Sequence, residues 1–498
     1  MQLHMQSNGE MRRSRHHPRL WRATLVWSAL YVATSMAQAG TPPATTLTNW
    51  PVLRLSPQDR ILVLAPHPDD EVIACGGIIQ TALAQGLPIR VVFLTYGDNN
   101  ELAFMMYRKH PVLMPRAVQT MGQMRHDEAV VAAKVFGLSA DHLTFLGYPD
   151  FGTLHIWESN WDEQPAYHGM LTRVSAVPYA NAFRPKAPYK GEEIVKDLSS
   201  ILREFRPTKI FVSHPADHNG DHQALYLFTR VALWDLEKEL RPRPELYPYL
   251  VHFRNWPQPR GDHPTRPLEP PDEIDEQIGW NVFPLSTAQV DCNRSALKGQ
   301  STEYNSSRKY LTTFLRANEL FGDFPAVTLS VTTNKPAPLS GHLGPKRAVE
   351  PPKEPTDTAR AVFVGLHQRF VSLEDDDLVV SIGLSQPLGE GVETSIYLFG
   401  YRNDRPFGEM PKLCVKFGES SQAVFDQNRR LKRENLEVIR RPNTITVRVN
   451  LSALGDPQRV LCSARSYLGD VPMDWVSWRA LELPHELRCF AQPSIIFR

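Results

Sequence analysis

Charge of one sign is what this sequence lacks most plainly. Lys and Arg number 55 against 54 Asp and Glu, a formal net charge of +1. A near-neutral chain offers no field for nucleic acid or an anionic surface, so neither is expected as the main partner. Long apolar runs are also missing beyond the N-terminus, and no later segment reaches the ~20 residues needed to span a bilayer. Cysteine is sparse: Cys75, Cys292, Cys414, Cys462 and Cys489 in 498 residues. The odd total leaves at least one thiol free. Cys75 lies in an apolar helical context and is expected to be buried, and one pair is expected among the last three. There is no internal repeat.

The N-terminus carries an address. A basic, histidine-rich stretch from Arg12 to Arg22 precedes an apolar run, Ala23 to Ala37, which ends in Ala37-Gln38-Ala39. Basic, then apolar, then small-x-small is the order of a secretory signal. The run is too short to span, so cleavage is expected over anchoring and export over retention, to the periplasm or the exterior, with no stable membrane span afterwards.

Length alone implies two or three domains. The expected division is a signal peptide at 1–39, a Pro/Thr-rich tether at 40–57, a first domain at 58–330, a Pro-rich linker at 331–358 and a second domain at 359–498. In the first domain, short continuous apolar runs at Arg60–Ala65, Ile89–Thr95, Leu143–Leu146 and Lys209–Ser213 read as strands buried on both faces. Segments with helical spacing alternate with them, at Glu71–Gly86, Met121–Gly137, Glu192–Phe205 and Gln223–Leu240. That alternation predicts an α/β fold with a doubly wound, mostly parallel, Rossmann-like sheet. Residues 241–275, rich in Pro and Arg, read as a surface excursion, and 286–321 as helix. Beyond the linker, β-branched runs such as Leu378–Ile382, Thr394–Phe399 and Thr444–Val449 predict an all-β, sandwich-like module.

Two polar segments interrupt this pattern at strand ends. Pro66-His67-Pro68-Asp69-Asp70-Glu71 follows the first strand and opens a helix. The prolines hold it extended, and the carboxyl end of a strand in an open α/β sheet is where ligands sit. His214-Pro215-Ala216-Asp217-His218-Asn219-Gly220-Asp221-His222 follows the fourth strand in the same way. Asp69, Asp70 and Glu71 would also serve as helix-capping acids. Taken together, two loops rich in His and Asp that converge on one crevice offer what a catalytic zinc takes: imidazoles, a carboxylate and one open position.

These motifs resemble the PIG-L/LmbE-like N-acetylglucosaminyl deacetylase family over roughly residues 58–325. The first matches its (P/A)-H-P-D-D-E. Asn219-Gly220-Asp221-His222-Gln223-Ala224 is similar to its second motif, H-P-D-H-x-A. Leu94-Thr95-Tyr96-Gly97-Asp98, Arg125-His126-Asp127-Glu128-Ala129 and Leu146-Gly147-Tyr148-Pro149-Asp150 are similar to intermediate features in the same order. The resemblance implies Zn2+ held by His67, Asp70 and His222, with Asp69 as general base. It implies hydrolytic removal of an acyl group, acetyl first, from the nitrogen of an amino sugar, free or within a glycan. Arg125 matches a position near the substrate. Asp98, Asn99 and Asp150 end strands on the same edge and could bind sugar hydroxyls, and Trp157 and Trp161 could stack on a sugar face.

The chain departs from the family where many members place a histidine that stabilises the oxyanion. Asn219 stands there, and an amide donates a hydrogen bond but carries no charge. His218 or His214 is an expected substitute beside it, and the alternative is that zinc carries more of the charge. Two other functions stay open: hydrolysis of a different N-acyl amide, and an exported glycan-binding protein with a vestigial metal site.

Overall fold

The computed structural model describes residues 50–99, 114–274, 277–330, 337–338, 363–432, 436–469 and 471–484. The expected signal peptide and Cys489 lie outside them. The chain runs β1 (Ile61–Ala65), α1 (Asp70–Ala84), β2 (Ile89–Thr95), α2 (Pro115–Phe136), β3 (Leu143–Tyr148), α3 (Thr153–Ser159), α4 (Gly191–Phe205), β4 (Lys209–Ser213), α5 (Gly220–Asp235), β5 (Glu245–Tyr249), β6 (Gly279–Pro284), α6 (Thr287–Gly299), α7 (Ser301–Leu311) and β7 (Asn318–Asp323). These strands form one sheet in the order β3-β2-β1-β4-β5-β7-β6. The first five are parallel, and β7 and β6 add an antiparallel edge. The doubly wound expectation holds. Sequence order runs outward from β1 to β2 and β3 on one side and to β4 and β5 on the other. The switch point therefore lies between β1 and β4, the two strands that deliver the polar loops.

Two segments differ from their expected form. The excursion at 241–275 contains β5, paired in parallel with β4 from Lys209↔Glu245 to Ser213↔Tyr249. Pro248 hid it, because proline withholds a ladder donor. Here the loss is small, since the far side of β5 pairs with β7 only at Tyr249↔Phe321. The segment read as helix through 321 stops at Leu311, and Asn318–Asp323 is a strand.

The C-terminal part is built of strands: β8 (Val327–Thr328), β9 (Ala337–Pro338), β10 (Leu366–Glu374), β11 (Asp377–Leu384), β12 (Val392–Tyr401), β13 (Lys412–Phe417), β14 (Gln422–Asp426), β15 (Arg429–Leu431), β16 (Leu436–Arg441), β17 (Thr444–Asn450), β18 (Arg459–Leu468) and β19 (Val471–Glu482). They form two sheets, β16-β17-β11-β10-β9 and β15-β14-β13-β12-β18-β19-β8. One buried cluster joins them, with Val371, Leu373, Val380, Ile382 and Val447 from the first and Ile396, Leu398, Val415, Val460 and Val476 from the second. Cys414 and Cys462 are both free, so the expected pairing does not join these two. Cys75 is buried, as expected.

Side chains alternate across a strand, so β12 has a second face. While Ile396 and Leu398 fill the sandwich, Tyr397, Phe399 and Tyr401 point the other way and belong to the core of the α/β domain. Phe399 meets Trp157 of α3, and Tyr401 meets Trp234 of α5. Trp157 contacts Phe228, Phe399, Phe407 and Trp478 at centroid distances of 5.2, 5.7, 5.3 and 5.9 Å. Trp157 and Trp161 are both 0% exposed, which excludes them as a platform for a sugar. Trp157→Ala is expected to lower the free energy of unfolding by ~3–5 kcal/mol, the cost of an emptied aromatic site. A denaturant melt that leaves stability within ~1 kcal/mol of the parent would show that this contact does not hold the two parts together.

Candidate metal centre

The loop after β1 is pinned at both ends. Thr95 donates its hydroxyl to Pro66 O at 3.0 Å, and the Arg125 guanidinium donates to Pro68 O at 2.8 Å and to Gly97 O at 3.0 Å. Gly97 permits the latter contact: its φ is +64°, and a Cβ there would stand 2.4 Å from Arg125 Nη1. Asp69 adopts φ 141°, a conformation strained for any L side chain. As N-cap of α1 its carboxylate makes no capping hydrogen bond. The capping alternative for Asp69 is thus not realised, and its carboxylate is turned elsewhere. Glu71 takes up the strain: Oε2 accepts the Asp69 N–H at 2.9 Å and Oε1 accepts from Gln300 Nε2 at 2.7 Å. Burial pushes the Glu71 carboxyl up to about 8.

Asp70 is the meeting point. Its Oδ2 lies 3.3 Å from His67 Nδ1 and 3.3 Å from His222 Nε2, and it accepts the His67 N–H at 3.0 Å. Burial alone would raise the Asp70 carboxyl, but His222 and His67 outweigh it and hold it well below the usual range. His222 is 0% exposed, and its Nε2 has no hydrogen-bond partner. Burial lowers its pKa, Asp217 and Asp70 raise it more, and the result is about 9. Ligand bonds of 2.0–2.1 Å in a tetrahedron separate donor atoms by ~3.3 Å. Both separations at Asp70 match that value, and an orphaned buried imidazole nitrogen is what such a centre requires. The residues fit a divalent metal.

Each imidazole is also held from behind. His67 Nε2 lies 3.1 Å from Asp150 Oδ1 and 3.2 Å from Asp221 Oδ2, and His222 Nδ1 lies 3.2 Å from Asp217 Oδ2. A carboxylate behind a ligand imidazole fixes its tautomer and orientation. His252 brings a fourth ligand atom within the 4.8 Å circle of His67, Asp70 and His222. It was missed because it lies just past β5, the hidden strand. Finding β5 would have exposed it as a residue at a third strand end, beside β4. Asp217 Oδ2 accepts the Val251 and His252 N–H groups at 3.0 and 2.9 Å, tying the β4 and β5 loops together.

The other expected residues sort by distance from this cluster. Asp69 Oδ2 lies 3.6 Å from Arg125 Nη2, and Glu303 Oε2 lies 3.5 Å from the same nitrogen. Burial, then repulsion by Asp70, raises the Asp69 carboxyl, against Arg125. Arg125 is 4% exposed and spends its donors on the loop, so it positions Asp69. Asn99 serves Asp150, donating its N–H to Oδ2 at 2.8 Å. Asp98 accepts from Tyr179 at 2.5 Å and is pushed to about 7 by burial and Asp150.

The three other expected residues of the second loop each have a structural partner. Asn219 Oδ1 accepts the Asp221 N–H at 2.8 Å, so this side chain is the N-cap of α5. His218 is wedged between Phe253 and Trp475, at ring distances of 4.7 and 4.3 Å. His214 is buried against Trp280 and Phe324, its Nδ1 accepting the Ala216 N–H, and burial lowers its pKa to about 3. Loop closure and packing account for these contacts of all three residues.

Residues 62–233 match the family described as PIG-L, GlcNAc-PI de-N-acetylase, and the metal cluster is formed within that span except for His252. Residues 62–233 form a PIG-L domain. The 1D-myo-inositol 2-acetamido-2-deoxy-alpha-D-glucopyranoside deacetylase of Mycobacterium sp. (strain KMS) is 28% identical over 185 residues, 36% of this chain and 53% of that protein. This chain thus spans about half the length of that relative. The protein of the same name from Kribbella flavida is 25% identical over 300 residues, 54% of this chain and 90% of its own. The N,N'-diacetylchitobiose deacetylase structure from Pyrococcus horikoshii overlaps 53% of this chain and 82% of its own, at 17% identity and a TM-score of 0.32, too slight a likeness to carry an argument.

If Asn219 caps the PIG-L domain's last helix, Asn219→Ala lowers the unfolding free energy by ~1 kcal/mol and Asn219→Asp does not. Equal stability of all three proteins in a urea titration would remove the capping role.

Proposed function

We propose that the chain is an exported zinc-dependent hydrolase that removes the N-acetyl group from an amino sugar, in an N-acetylglucosamine-type glycan or conjugate. The observation that carries the reading is the convergence of His67 Nδ1 and His222 Nε2 on Asp70 Oδ2, each at 3.3 Å, beside the buried Asp69, inside a PIG-L domain. Two imidazoles and one carboxylate are a catalytic zinc's donor set. When bound, the ion polarises the amide carbonyl and lowers the pKa of water toward ~7.

The chain's own residues supply the rest. Asp69 accepts a proton from the attacking water on a carboxylate oxygen, and then delivers it to the nitrogen as the C–N bond breaks. Amide and water become acetate and amine. Arg125, 3.6 Å from Asp69, keeps the carboxylate aimed and tempers its basicity. Asp150 and Asp221 hold His67, and Asp217 holds His222.

A sugar ring has an apolar face as well as hydroxyls, and Phe151 offers the matching surface. It is 55% exposed, and its ring lies 6.2 Å from that of His67. Its backbone is held at φ 55°, with its N–H on Asp221 Oδ2 at 2.6 Å. A large apolar side chain kept exposed in a strained conformation beside the cluster is best used against substrate.

Acetate release from N-acetylglucosamine oligosaccharides and inositol conjugates, with zinc added, is the test. Asp69→Ala is expected to lower turnover by roughly 10²–10⁴-fold with zinc content unchanged. Acetate from neither protein would sink the deacetylase reading. Phe151→Ala is expected to raise KM several-fold at nearly constant kcat, while Phe151→Tyr behaves like the parent; a KM untouched by Phe151→Ala would remove the platform.

A further inference from the structure

The β-sheet module has a direct hold on the metal loop. Arg465 of β18 and Trp475 of β19 are cross-strand partners, opposite one another on a single hairpin. Both turn toward the α/β domain. Arg465 Nη2 donates to Gln223 Oε1 at 3.3 Å, and Nη1 pairs with Glu158 of α3 at 2.6 Å. Trp475 packs edge-on against the His218 ring at 4.3 Å. Gln223 is the residue after His222, and His218 is the residue after Asp217. The hairpin therefore grips the loop at two points, each one residue from a member of the metal cluster or its support.

From both points a short relay leads inward. Gln223 Nε2 donates to Asp217 O at 2.7 Å, and Asp217 Oδ2 stands 3.2 Å behind His222 Nδ1. The His218 N–H donates to His252 O at 2.6 Å, and the His252 N–H returns to Asp217 Oδ2 at 2.9 Å. Asp217 is thus fixed through its carbonyl by one arm and through its carboxylate by the other. Gln223 and Arg465 are nearly buried, 4% and 8% exposed, so water cannot easily replace either contact.

On this basis, and resting on the metal-centre reading above, we infer that the C-terminal β module is a positioning element of the metal centre, acting through Arg465 and Trp475 on Asp217 and His222. It is part of the catalytic unit. Supporting groups behind a ligand imidazole tune metal affinity by roughly 10–100-fold, so an effect of that size is expected when the hairpin lets go.

The experiment measures zinc affinity of the mature chain by chelator competition, and the visible spectrum of its cobalt form. Arg465→Met is combined with Glu158→Gln, so that no buried carboxylate is left unpaired. Trp475→Leu is the second, independent variant. Arg459→Met is the control, because Arg459 joins the same module to Glu237 of the α/β domain at 2.9 Å, away from the metal loop. The expected result is metal binding weakened by roughly 10–100-fold in the first two variants, with altered cobalt bands, and parental binding in the control. Parental affinity in either hairpin variant overturns the inference, as does an equal loss in the control, which would mark a general loosening. A parent that binds neither ion overturns the metal-centre reading itself, and the inference with it.

Discussion

The Asp70 carboxylate between two imidazoles is the interaction on which the rest of the molecule depends. Withdrawing a carboxylate from water costs of order several kcal/mol, and the pairing recovers this only if geometry is good and the remaining polar atoms are satisfied. Asp70 is 1% exposed and His222 0%. The surroundings answer that demand group by group: Asp150 and Asp221 behind His67, Asp217 behind His222, backbone N–H groups of Val251 and His252 on Asp217, and N–H groups of Phe151 and Thr153 on Asp221. A metal cation at the open side of Asp70 completes the same logic, since acids outnumber histidines among these groups.

Such a cluster needs a dry enclosure, and the topology supplies only part of it. The switch point between β1 and β4 brings the two loops together, but α3 and α5 leave an aromatic surface that the α/β domain does not cover. The C-terminal sheet β15-β14-β13-β12-β18-β19-β8 covers it. Its strand β12 is buried on both faces, Ile396 and Leu398 toward the sandwich and Tyr397, Phe399 and Tyr401 toward Trp157 and Trp234. A strand that serves two cores cannot be exchanged without unsettling both. Lys412 seals the seam, its ammonium bonded to the carbonyls of Phe407, Gly408 and Met410 and lying 4.7 Å from the Trp161 ring.

What was legible in the sequence was short-range. His67, Asp69 and Asp70 fall within one turn of chain after an unmistakable strand, and His222 opens a helix after another. Continuous apolar runs marked β1, β2 and β4 because both faces of those strands are covered. Legibility failed where the deciding partner is remote. β5 carries a proline and survives because its second side is almost unpaired; His252 was lost with it. Trp157 and Trp161 looked like sugar platforms because nothing local shows that Phe399, Phe407 and Trp478, more than 200 residues away, close over them. Asn219 and His218 share the motif's position, and nothing local shows that the first also caps α5 and the second also packs against Trp475.

Two residues beside the centre have a backbone that glycine would hold more easily. Asp69 at φ 141° and Phe151 at φ 55° each cost about 1–3 kcal/mol in a protein with little to spare. In both cases the strained residue's N–H is fixed by a buried carboxylate, Glu71 for Asp69 and Asp221 for Phe151. Relaxing either residue would release the carboxylate as well as the backbone, and Asp221 also supports His67. The strain is therefore not a local accident that a rotamer change could remove. It accompanies the placing of the Asp69 carboxylate and the Phe151 ring beside the cluster, each from a short loop after a strand.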